Sequence, residues 1–185
     1  MKMLEKVIEF ANENFKAQDK SIEHYERAMH WTRKLKPDAD EAILIAAYAH
    51  DIDRAFSKEG VETYKDKELT ELVYRTKHAK ACAKIIADFL KKQNYPEENI
   101  KRVSEMVRYH EEGGTPESDL IKDADSLSYF EVNAPKHVKK FKILGKDKIK
   151  NKFDFMFNRI SSQKAKKIAE PMYRKAVLLL EKEFK

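Results

Sequence analysis

The run Ala42-Ile-Leu-Ile-Ala-Ala-Tyr-Ala49 is the most apolar stretch of this chain, and it ends in the pair His50-Asp51. A stretch of that composition goes into a core and carries the pair in with it. Burying an ionised carboxylate costs several kcal/mol unless a cation or hydrogen bonds offset it. A divalent metal is the simplest single partner that satisfies an imidazole and a carboxylate together. The chain offers further donors on either side of the pair: His24, His78, His110 and Asp125.

The rest of the sequence says what kind of scaffold would hold them. Four glycines and five prolines in 185 residues leave few breaks, and 38% of the residues are charged beside 42% that are hydrophobic. That mixture, rich in Lys, Glu, Ala and Leu, reads as an all-α protein, a single-domain helical bundle over residues 1–185. Leu4, Val7, Ile8, Ala11 and Phe15 repeat with the helical period. Ser21 is placed to cap a second helix, Pro37-Asp38 to end it, and Asp40 to cap the apolar helix. Residues 54–66 read as a loop around Gly60. A helix from about Lys67 to Tyr74 and a separate one opened by His78 follow. Pro96 starts the helix that ends at His110, and Glu111-Glu112-Gly113-Gly114-Thr115-Pro116 is the clearest loop. Glu117 then opens the helix holding Asp125. Residues 136–185 read as three lysine-rich helices broken near Gly145 and Pro171.

No run approaches the roughly 18 to 20 apolar residues of a membrane span. The N-terminal residues, acidic among apolar, read as an amphipathic helix rather than a signal peptide. One cysteine, Cys82, excludes an intramolecular disulfide and fits a reducing cytoplasm. Charge is uneven: residues 136–185 hold 16 Lys/Arg against 5 Asp/Glu, and residues 1–135 hold 22 against 27. Lysine dominates the basic part with few interleaved aromatics, so the expectation there is a solvated face that attracts phosphorylated ligands at long range, with nucleic acid the less favoured partner.

Asp125 lies between Ala124 and Leu127 on an apolar helix and raises the same question as Asp51. Arg or Lys would satisfy one such acid. Two acids and several imidazoles converging on a bundle core favour a metal. His30 and Asp123 are the nearby alternatives for the outer ligands, and His137 reads as a surface residue of the lysine-rich part.

The order His24-x-x-Arg27, then His50-Asp51, then Asp125 within Ala124-Asp125-Ser126-Leu127 resembles the HD-domain metal-dependent phosphohydrolases, over roughly residues 20–130. The resemblance implies an all-helical domain in which His24, His50, Asp51 and Asp125 bind a divalent metal. His78 and His110 match the two further histidines of six-ligand members, similar to symmetric dinucleoside-tetraphosphate hydrolases and cyclic-dinucleotide phosphodiesterases. In those a second metal shares the Asp of the dyad. The metal itself, manganese, iron, cobalt, nickel, magnesium or zinc, as one ion or two, stays open.

The implied activity is hydrolysis of a nucleotide or other small phosphate ester by metal-activated water. Asp51, Asp53 and Arg54 are the candidate catalytic residues. Arg54 would take a phosphate oxygen, or instead pair with Asp53 or Glu59. Asp53 would orient a water, act as a base, or hydrogen-bond a ligand histidine. Arg27, Lys77 and Lys122 are weaker phosphate candidates, and the Glu111–Gly114 loop would border the pocket. Six-ligand members also resemble di-iron oxygenases, and a regulatory nucleic-acid-binding module is a third reading. The oligomeric state is not legible.

Overall fold

The computed structural model describes residues 2–18, 20–56 and 71–183, and no strand occurs among them. Helix α1 (Met3–Ala17) is followed by α2 (Glu23–Leu35), α3 (Glu41–Ala49) and a 3-10 turn, Ile52–Ala55. Then come α4 (Glu71–Lys92), α5 (Glu97–Arg108) and α6 (Pro116–Ser128). Helix α6 runs through a π turn, Tyr129–Asn133, into α7 (Ala134–Val138). The chain ends in α8 (Phe141–Leu144), α9 (Lys146–Asn158) and α10 (Gln163–Glu183). The all-α class expected from the sequence is the one observed.

Helix α3 is the hub. Every residue from Ala42 to Ala49 is buried, and α1, α2, α5 and α6 pack around it. Its four alanines let those neighbours approach closely, while Ile43, Ile45 and Tyr48 fill the space between them. Burying each such large side chain contributes about 1.5–3 kcal/mol. The Asp40 side chain caps the helix by accepting the Ile43 amide at 3.0 Å. A second core, built on Tyr129, Phe130, Phe153, Met156 and Leu180, joins α9 and α10 to the π turn.

Two boundaries differ from the sequence reading. The chain from Glu71 to Lys92 is one helix, so His78 sits in its interior rather than at an opening. No Gly or Pro falls between Tyr74 and His78, and nothing stops the helix there. The expected loop around Gly60 and the start at Lys67 lie outside the described residues. Pro171, expected to break the C-terminal part, lies inside α10 on its exposed side. The break falls instead at Arg159–Ser162.

Asp123 explains that break. It is 2% exposed, and its carboxylate, rather than joining the donors as an alternative outer ligand, accepts the backbone amides of Ser161 at 2.7 Å and Ser162 at 2.9 Å. The turn between α9 and α10 is thereby pinned to α6. Asp123→Ala strands two amides and is expected to cost about 1–3 kcal/mol of unfolding free energy. Urea unfolding would read the loss; a change below about half a kcal/mol would show that the turn holds without Asp123.

Candidate metal centre

All six predicted donors converge, and each arrives from a different local structure. His24 lies in the first turn of α2, and His50 ends α3. Asp51 begins the 3-10 turn, His78 is inside α4, His110 follows α5, and Asp125 is in α6. All six are buried.

Hydrogen bonds set the tautomers of the imidazoles. The Nδ1–H of His50 donates to the Ala47 carbonyl at 2.9 Å, and that of His110 to the Val107 carbonyl at 2.7 Å. The Ser128 hydroxyl donates to the His24 carbonyl at 2.6 Å, so it accepts from His24 Nδ1 at 2.8 Å. The Nε2 atoms of these three rings therefore carry lone pairs that face inward. His78 donates from Nδ1 to Asp53 Oδ2 at 2.6 Å, an arrangement that orients a ligating ring.

Those inward atoms form two triads. In one, the Nε2 atoms of His24 and His50 are 3.2 Å apart, and each lies near Asp125 Oδ1, at 3.0 and 3.4 Å. In the other, Asp51 Oδ1 lies 2.7 Å from His78 Nε2 and 3.4 Å from His110 Nε2. Within each triad the donor atoms lie within 4.8 Å of one another. Two lone pairs face to face at 3.2 Å repel unless a cation or proton sits between them. His110 Nε2 is buried with no hydrogen-bond partner, a costly state for such an atom. A divalent cation bound by imidazole and carboxylate relieves both, so the residues present fit a metal. A third group, Asp53, His78 and Cys82, shares His78. Burial pushes the Cys82 thiol up to about 12, against the effect of His78, so it is a poor ligand.

The two carboxylates are ionised. Burial alone would raise the Asp51 pKa, but the Arg54 guanidinium is the largest of the causes that outweigh it and hold it well below the usual range. For Asp125, burial is outweighed first by the Arg159 guanidinium, which holds it well below the usual range. Arg54 Nε is 2.7 Å from Asp51 Oδ2, so its partner is Asp51 rather than the expected Asp53 or Glu59; Glu59 is outside the described residues. Arg159 is buried on Asp125, reaches Glu111 Oε2 at 2.6 Å, and donates from Nε to the Ser126 hydroxyl at 2.9 Å.

A cavity of about 200 Å³ is lined by three of the six donors, His24, Asp51 and Asp125. Arg54 and Glu111 also line it. The lysine-rich segment contributes Lys136, His137, Lys152 and Arg159 to the lining. The π turn supplies Tyr129 and Asn133, and such turns recur at functional sites. His137 is thus a cavity residue, not the surface residue expected. Asp53, expected among the catalytic groups, does not line the cavity; it accepts from His78, the last of the roles anticipated for it. Arg27 pairs with Glu131, Lys122 holds the loop through Asp119 and the Glu112 carbonyl, and Lys77 is exposed. His30 packs edge-on to Trp31, apart from the donors.

Lys152 and Arg159 were missed because lysine-rich helices look alike in sequence. One signal was available for Arg159: it is one of two arginines among the 16 basic residues of 136–185, and it follows the apolar Phe153 and Met156 at helical spacing.

No helix among the described residues is long and apolar enough to cross a membrane. The fold is similar to that of a crystal structure described as a predicted HD superfamily hydrolase from an uncultured Thermotogales bacterium. The TM-score is 0.61 at 21% sequence identity, over 96% of this chain and 89% of that one. At that identity the similarity is one of fold. Comparison with curated proteins gives no match. Residues 8–178, nearly the whole chain, match the family described as Domain of unknown function (DUF4202), and the protein belongs to that family.

Proposed function

We propose that this protein is a metal-dependent phosphohydrolase acting on a nucleotide or another small phosphate ester. One observation carries the reading: a cavity with a buried imidazole–carboxylate cluster on one side and four cationic side chains, Arg54, Lys136, Lys152 and Arg159, around it. Phosphoryl transfer needs that combination, because charge on the equatorial oxygens must be met by fixed cations. The fold it shares with a protein described as a predicted HD superfamily hydrolase agrees with it.

His24, His50 and Asp125 would hold one metal, and Asp51, His78 and His110 a second. Bound there, a divalent metal supplies Lewis-acid polarisation of a phosphoryl oxygen and acidifies water towards neutrality. The chain's own groups do the rest. The Ala47 and Val107 carbonyls keep His50 and His110 in the ligating tautomer. Asp53 fixes the His78 ring. Arg54 and Arg159 hold Asp51 and Asp125 ionised and in place.

The test is elemental analysis of the purified protein, then a panel of phosphomonoesters and nucleotides with Mn²⁺, Co²⁺ or Mg²⁺. Turnover lost on chelation and restored by metal is the expected result. A folded, metal-loaded protein that hydrolyses none of them would refute the reading. Tightly held iron with oxygen consumption would point to the oxygenase instead, and salt-sensitive RNA binding without turnover to the regulatory module.

Metal count has its own measurement. With both triads filled, His78→Ala or His110→Ala is expected to lower bound metal from about two per chain to about one. Stoichiometry near one in the unaltered protein, with no change in either variant, would confine the metal to the His24–His50–Asp125 triad.

A further inference from the structure

We propose that Lys152 and His137 form an anion subsite that takes the non-bridging oxygens of a phosphoryl group lying against the metal centre. The other cations of the cavity are already committed to carboxylates. Arg54 is on Asp51, Arg159 on Asp125 and Glu111, and Lys136 on Glu23 at 3.1 Å. Lys152 has no carboxylate at ion-pair distance among the described residues. Its ammonium lies instead over the rings of Tyr129, at 5.8 Å, and Phe155, at 5.0 Å. A lysine ordinarily finds an acid or extends its head to open water. This one is held by two aromatic faces inside a cavity, where burial and the nearby Arg159 disfavour its charge while Glu111 and Asp125 favour it. An anionic occupant is the partner this arrangement lacks.

His137 completes the subsite as a neutral donor. Its Nδ1 is 2.9 Å from the Tyr129 hydroxyl. Burial, with Lys152, Lys140 and Arg54 nearby, lowers its pKa to about 4, so the ring is neutral at physiological pH. In the tautomer in which the Tyr129 hydroxyl donates to Nδ1, Nε2–H has no partner among the described residues. A neutral donor contacts a phosphate oxygen without adding charge repulsion to Lys152.

The phosphohydrolase reading supplies only the identity of the anion; binding needs no turnover. The experiment is calorimetric titration of inorganic phosphate into the Mn²⁺-loaded full-length protein. A charge-assisted hydrogen bond contributes about 1.5–3 kcal/mol, so Lys152→Met is expected to weaken phosphate binding about tenfold or more. His137→Gln is expected to weaken it less, and exposed Lys148→Met on the same helix not at all. Metal content and Tm are measured alongside. Unchanged phosphate affinity in Lys152→Met at unchanged metal content overturns the proposal, as does a wild-type protein that binds no phosphate. Should that variant fail to fold, amine labelling of the wild type, read by mass spectrometry, decides. Phosphate should protect Lys152, and equal labelling with and without phosphate overturns the subsite. A wild type that hydrolyses no ester yet loses phosphate affinity on Lys152→Met refutes the hydrolase reading and keeps the subsite.

Discussion

Asp51→Ala is expected to purify with much of its bound metal gone and with turnover reduced about a thousandfold or more. The metal supplies several kcal/mol of charge stabilisation in phosphoryl transfer, and each 1.36 kcal/mol is a factor of ten in rate. Asp51 Oδ1 is the one carboxylate oxygen of its triad and faces both His78 and His110. Two imidazoles alone neutralise none of a cation's charge. The fold is expected to survive, because the partner stranded by the substitution, Arg54, has a side chain 41% exposed and can reach water. Elemental analysis, a circular dichroism melt and the ester assay check the three parts separately. A folded variant with unchanged metal stoichiometry would remove Asp51 from the centre.

Arg159→Met should behave in the opposite way: modest in metal content, large in stability. The Arg159 side chain is 7% exposed and joins Asp125, 9% exposed, to Glu111, 11% exposed. Its removal leaves two buried carboxylates without their cation, a change that typically costs 3–5 kcal/mol. In chelated buffer the variant is therefore expected to unfold at clearly lower urea than the wild type. Divalent metal should restore part of the loss, since a cation at the His24–His50–Asp125 triad neutralises Asp125 again and binding stabilises the folded state by mass action. Urea curves for both proteins, with and without Mn²⁺, measure this. Equal midpoints in chelated buffer would show that the Asp125–Arg159–Glu111 chain contributes no net stability.

Much of the fold and of the donor set was legible in the linear order of residues, and the reasons are local. Apolar spacing at Val7, Ala11 and Phe15, the Asp40 cap and the glycine loop before α6 each act within a turn or two, so composition and period reveal them; the Thr115 cap and the start of α6 at Pro116 fall inside what the sequence reads as loop. The donors were legible because an imidazole and two acids embedded in apolar helices are costly unless they meet something, and that cost is visible in the neighbours of His50, Asp51 and Asp125. The ordered resemblance to HD-domain proteins supplied His24, and it ranked His78 and His110 as further ligands.

What the tertiary structure alone decided was the other half of the cavity. Nothing local separates Lys152 from Lys148 or Lys150, because all are lysines on one charged helix. Their difference comes from the π turn after Ser128 and from Asp123 holding the Ser161–Ser162 turn. Together these pack α9 with Ile149, Phe153 and Met156 buried and bring Lys152 to the cavity that His24, Asp51 and Asp125 line. Helical period is a property of a segment, and the assignment of its faces is a property of what packs on it. For an amphipathic, lysine-rich helix the sequence offers several equivalent polar positions, and only packing against the second core selects which of those charges line the cavity.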